Sequence, residues 1–110
     1  MNIEESKFGG ATVARLAGRL DTATAPTVQT RLVALLAAGG ALVADMQGVD
    51  YVSSAGLRAL LTAAKQAKSL GCSFGLVAPQ ASVQEVLAMT GFDRIIPIHP
   101  TLEAATGGPA

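Results

Sequence analysis

The feature that most constrains this chain is a change of hydrophobic period that repeats along it. Short apolar runs, "ATVARLAG", "ALVADM", "CSFGLVA" and "RIIPIH", alternate with stretches whose apolar residues recur every three or four positions. Val28, Leu32, Leu35 and Leu36 follow the second pattern. So do Leu57, Leu60, Leu61 and Ala64, and then Val83, Val86 and Leu87. Runs of the first kind make strands and those of the second make amphipathic helices. Strands alternating with helices call for a largely parallel sheet, because parallel neighbours must be joined by crossovers. "NIEESKF" and "ATVARLAG" flank Gly9-Gly10 and predict an antiparallel hairpin, since both glycines can take positive φ. The expected fold class is α/β: one domain over residues 1–110, an N-terminal β-hairpin followed by alternating α and β, and a mixed, mostly parallel sheet with flanking helices.

Punctuation residues set the expected element ends. Thr24 and Pro26 open the first helix and Gly39-Gly40 close it. The strand "ALVADM" ends near Asp45, and "QGVDYV" reads as a loop leading to a helix that begins near Ser54 and stops at Gly71. "SVQE", from Ser82 to Glu85, has the form of a capping box. Gly91 followed by Phe92 reads as a glycine helix end with its apolar contact. "RIIPIH" reads as a last short strand, with Pro97 marking an edge or an end. "TLEAAT" closes the pattern with a turn or two of helix, and residues 107–110 read as a flexible tail.

Composition then excludes whole classes of function. Lys and Arg balance Asp and Glu at a formal net charge of zero and form no basic stripe, which argues against a grip on nucleic acid. "LVALLAAGGALVA" carries no charge, but a bilayer core needs about twenty apolar residues and a glycine pair splits this run, so no membrane insertion is expected. Cys72 is the only cysteine, which rules out an internal disulfide and suits a small apolar filler near a strand start. "MNIEESKF" lacks the basic and apolar regions of a signal peptide. The expectation is a soluble cytoplasmic protein.

In a parallel sheet the loops after the strands gather on one rim, where sites form. Here those loops are "DTAT", "QGVDYVSS" and "APQA", which bring Asp21 and the Ser53-Ser54 pair to the same rim. A hydrolase elbow needs G-x-S-x-G, but Val52 holds the first glycine position, and His99 is the only histidine, at the end of the last strand. A serine without a placed base is a poor nucleophile. One His, one Cys and scattered carboxylates offer no metal-ligand spacing. An aspartate-phosphorylated receiver would need paired acids after its first strand, and "GRLDTAT" has Asp21 alone. Neither glycine pair is followed by the Lys-Ser/Thr of a phosphate loop. The chain therefore reads as non-enzymatic, with no catalytic residue, no metal and no cofactor.

That leaves Ser53 and Ser54. The plainest role is that one of them caps a helix starting at Ala55 or Gly56. Capping does not explain "SSAG", four small residues in a row, which leave the backbone open to close approach. A phosphoryl group placed there would meet free amides and the positive end of the helix dipole.

"LAGRLDTATA", "LVADMQGVDYVSSAGLRALL" and "MTGFDRIIPI" together resemble the STAS domain of bacterial anti-sigma factor antagonists. The resemblance runs from about Ile3 to Leu102 and is most specific in "LVADM" and "SSAGLRALL". It implies partner switching. The unphosphorylated protein binds an anti-sigma factor that is also a serine kinase, phosphorylation releases it, and a metal-dependent serine phosphatase resets it. The family's phosphoacceptor lies two residues before the glycine that opens the second helix, which carries over to Ser54 with Gly56 as that glycine. The family often has Asp just before the acceptor. Here Ser53 stands there, which makes it a second candidate acceptor. Asp21 falls at the acidic position of the partner surface, and Asp45 at a polar position beneath the acceptor loop. The implied partner-binding set is Asp21, Thr22, Thr24, Ser53, Ser54, Gly56 and Arg58. The alternatives are a non-switching STAS subunit of a transporter or lipid-transport assembly, and a stressosome-like scaffold.

Overall fold

The computed structural model describes residues 1–106; the expected tail at 107–110 lies outside the described residues. Strands β1 (Asn2–Phe8) and β2 (Ala11–Leu20) form the hairpin. Gly9 and Gly10 make its turn at φ 56° and 82°, a conformation that side-chain-bearing residues avoid. Then follow α1 (Ala25–Ala37), β3 (Leu42–Val52), α2 (Ser54–Leu70), β4 (Phe74–Val77), α3 (Ala81–Met89), a short 3-10 turn (Phe92–Arg94), β5 (Ile98–His99) and α4 (Leu102–Thr106). The strands lie side by side in chain order, β1 antiparallel to β2 and every later pair parallel. The α/β hairpin-plus-crossover architecture is as the period changes predicted. No helix among the described residues is long and apolar enough to cross a membrane.

The main core joins one sheet face to the helices. Ala14, Leu16, Leu20, Ala44, Met46 and Leu76 from the strands meet Val28, Leu32 and Leu36 of α1, Leu57 and Leu60 of α2, and Val83 and Leu87 of α3. A smaller cluster of Ala11, Val43 and Val77 on the other strand positions packs with Leu102 and Ala105 of α4. The packing is mainly aliphatic, as the composition implies, with Phe74 of β4 as a buried aromatic in the same core. Leu61, Ala64 and Val86, expected on inner helix faces, are only half-buried.

Four expectations need correction. "QGVDYV" is strand, because β3 runs on to Val52 and Asp45 lies in its middle. Here β3 advances three residues while β2 advances two, from Arg15–Asp45 to Ala17–Gly48, then two while β2 advances one, from Gly18–Val49 to Arg19–Tyr51. These bulges make Met46, Val49 and Val52 buried at intervals of three, which hides the strand's period of two. "RIIPIH" pairs only at its end, since Ile95 and Ile96 both donate their amides to Phe92 O. Pro97 has no amide to give, but its carbonyl accepts from Leu76 N at 2.9 Å. The capping box at Ser82 does not form: α3 starts at Ala81 after Gln80, with no side-chain cap bond, and Gln80 Nε2 donates instead to Gln47 O at 2.7 Å. Finally, α2 begins at Ser54, as its expected start near that residue implied, and so one residue before the Ala55 start and two before the Gly56 start of the cap reading.

Candidate functional site

Two strand-to-helix turns form the rim, and the Leu20 carbonyl joins them. Leu20 ends β2, and its oxygen accepts the Ser53 amide at 2.9 Å. A Cβ on Gly56 would lie 2.6 Å from that same oxygen and 2.7 Å from Leu20 Cγ. No side chain fits there, so glycine is what lets the start of α2 sit directly on the end of β2. Gly56 is buried and faces inward. Of the seven residues implied as partner-binding, it positions the helix and is not itself on the surface.

The first turn satisfies itself. Asp21 Oδ1 accepts from Ala23 N at 3.0 Å and Thr24 N at 3.2 Å. Thr24 Oγ1 accepts from Asp21 N at 2.9 Å. A hydroxyl has one hydrogen to give; the shortest acceptor for it is Arg19 O at 2.8 Å. The Thr24 amide above all holds the Asp21 carboxyl below the usual aspartate range, aided by the Thr24 hydroxyl, the Ala23 amide and the Arg19 charge, and opposed by partial burial. Arg19 Nε lies 3.7 Å from Asp21 Oδ2, and the guanidinium stacks 4.1 Å from the Tyr51 ring centre. Asp21 and Thr24 are thus half-buried and occupied, while Thr22 projects into solvent.

The second turn is only partly occupied. Ser53 is the N-cap of α2, at φ −91° and ψ 175°, and its Oγ accepts from Gly56 N at 3.2 Å. Ser54 is the first helical residue, is exposed, and its hydroxyl has no hydrogen-bond partner among the described residues. The cap and the free hydroxyl are therefore different serines. Asp45, expected beneath the acceptor loop, instead lies buried in the body of β3, eight residues before Ser53: Oδ2 accepts from Arg15 Nε at 3.2 Å and Oδ1 from Gln47 N at 3.0 Å. Its hydrogen bonds stay within the sheet and do not reach either serine.

Arg58 lies one turn beyond Ser54, exposed and without an ion pair among the described residues. With Thr22 and Ala55 it lines a groove of about 780 Å³ between α1 and α2, which also takes in Pro26, Gln29 and Lys65. The groove carries the cations of Arg58 and Lys65 and no carboxylate. Sequence reasoning missed Gln29, Thr62 and Lys65. The signal was available, since Ala55, Arg58, Thr62 and Lys65 form one stripe at helical spacing. No group of three or more His, Cys, Asp or Glu side chains among the described residues is placed to hold a metal ion.

Comparison with known proteins places the chain. The family described as the STAS domain matches residues 2–105. A protein of Bordetella bronchiseptica provisionally named anti-sigma factor antagonist BtrV is 34% identical over 106 residues, covering 96% of this chain and 91% of its own length. The crystal structure of an anti-sigma factor antagonist from Mycobacterium paratuberculosis superposes with a TM-score of 0.85 at 28% identity, over 97% of this chain and 92% of that one. The anti-sigma factor antagonist SpoIIAA in its unphosphorylated form shares the fold, with a TM-score of 0.77 at 17% identity, over 94% and 92% of the two chains. The chain belongs to the STAS-domain family, alongside relatives named as anti-sigma factor antagonists.

Proposed function

We propose that this protein is an anti-sigma factor antagonist of the cytoplasm, switched between partners by phosphorylation of Ser54. The observation that carries the reading is the division of labour at the start of α2: Ser53 holds the helix, and Ser54 presents a hydroxyl that the fold does not use. The names of its relatives support the general role.

The chemistry fits the place. A partner kinase would transfer the γ-phosphoryl of ATP to Ser54 Oγ, with the serine proton passing to a base on the kinase and ADP leaving. The product carries about −1.5 to −2 charge near neutral pH. The dipole and free amides at the start of α2 favour that charge, so the fold tolerates it. A partner docked over the rim would have to desolvate or oppose a dianion, so the complex does not tolerate it. A serine phosphatase then restores the hydroxyl. The anti-sigma factor would meet Thr22, Ser54 and Arg58 and the groove behind them, and the groove's unpaired cations call for acidic residues on the partner's side.

Binding titrations against the cognate kinase test this. Ser54→Ala should bind like the wild type, and Ser54→Asp should bind at least about tenfold more weakly. Equal binding of Ser54→Asp and wild type would overturn the switch, and binding of transporter components instead would overturn the sigma-regulatory role.

A further inference from the structure

A second groove of about 760 Å³, which shares Leu61 and Lys65 with the first, runs between α2 and the segment leading into β5. Leu61, Ala64, Phe74, Ile95 and Pro97 wall it, and Cys72 lies on it. Its lining is mostly apolar, and Ile95 at its mouth is 55% exposed. The charges on it are Lys65 and Lys68, one turn apart along α2. No carboxylate lines it, and neither lysine has an ion pair among the described residues. Lys68 also complements the negative end of α2, which accounts for a lysine there but not for the apolar wall beside it.

We infer that this groove binds a free long-chain carboxylate, a fatty acid, with its chain along Leu61, Ala64 and Ile95 and its carboxylate at the lysines. Charge complementarity selects the head group: an apolar trough edged by unpaired cations and no anion favours a single-chain anion over a neutral or cationic chain. The volume also suits a small molecule. The groove falls within the range of about 300–1,000 Å³ typical of ligand sites.

Cys72, the only cysteine, is a built-in reporter. The full chain is titrated with dodecanoate below its micelle-forming concentration. Two readouts are followed: the rate of Cys72 reaction with a maleimide, and the backbone amide shifts of Ala64, Cys72 and Ile95. The expected result is saturable slowing of the thiol reaction with matching shifts at those three amides. Methyl dodecanoate and dodecyltrimethylammonium should give neither effect. Lys68→Gln should raise the half-saturation point about twofold to fivefold, as loss of one exposed ion pair implies. Ile95→Asp, a surface change that leaves the core intact, should abolish binding. The inference is overturned if the ester or the cationic chain protects equally. It is also overturned if neither readout responds, if both variants bind unchanged, or if effects arise only with anionic phospholipid vesicles. None of these outcomes bears on Ser54.

Discussion

The two turns of the rim, Asp21–Thr24 and Ser53–Gly56, do the same structural job with opposite economies of polar groups. Each links the end of a strand to the start of a helix, and both meet at the Leu20 carbonyl. In the first, the Asp21 carboxylate and the Thr24 hydroxyl are consumed by the turn's own backbone. In the second, one hydroxyl closes the turn and the neighbouring one is left over. A polar residue at a helix start is a candidate for function only to the extent that local geometry has not already used it. By that measure Asp21 is mainly a structural residue of the first turn, and Ser54 carries the free hydroxyl.

The largest effect in this pair of turns should come from Gly56→Ala. The added Cβ meets backbone at 2.6 Å, so either α2 lifts off β2 or Leu20 shifts. Overpacking of this kind costs about 1–3 kcal/mol, occasionally more. A denaturant midpoint equal to wild type would mean the two turns are not rigidly joined. Next is Ser53→Ala, which removes the cap and should cost about 0.5–2 kcal/mol by the same measurement.

Asp21→Asn sharpens the comparison through pH. The folded carboxyl lies below its ordinary value of 3.8, so the stability it contributes is fully present above that value and is lost as pH falls through the lowered folded value. The gap in midpoint between wild type and Asp21→Asn should be constant between about pH 5 and 7 and close below 3.8. A gap that widened on acidification would contradict the bonded carboxylate. The smallest effect should be that of Ser54→Ala, within about 0.5 kcal/mol, because an exposed side chain without a partner contributes little. A loss as large as that for Ser53→Ala would show that both serines hold the helix.

Much of this was legible in sequence, and the exceptions share a cause. Helix and strand periods, the Gly9-Gly10 hairpin and the Gly71 helix end (φ 72°) are local signals, and the structure follows them. The pair Ser53-Ser54 was visible as a candidate site, but not which serine caps: that depends on the Ser53 amide binding Leu20, a contact across 33 residues of chain that no local pattern encodes. Likewise "QGVDYV" looks like a loop because two bulges, set by pairing with β2, break its alternation. Gly56 reads as an open backbone position in sequence and is a packing constraint in the fold. The misread capping box at Ser82 fails for a similar reason, since the chain enters α3 through Pro79 and Gln80, and the Gln80 side chain is held to the distant Gln47 carbonyl.

The division of labour between the two serines is tested most directly by mapping phosphate on three proteins, the wild type, Ser53→Ala and Ser54→Ala, each incubated with the cognate kinase, ATP and magnesium and analysed by mass spectrometry. Phosphate should appear on Ser54 in the wild type and in Ser53→Ala, and on neither serine in Ser54→Ala. Phosphate on Ser53 in the wild type, or full phosphorylation of Ser54→Ala, would contradict the assignment of Ser53 as cap and Ser54 as switch.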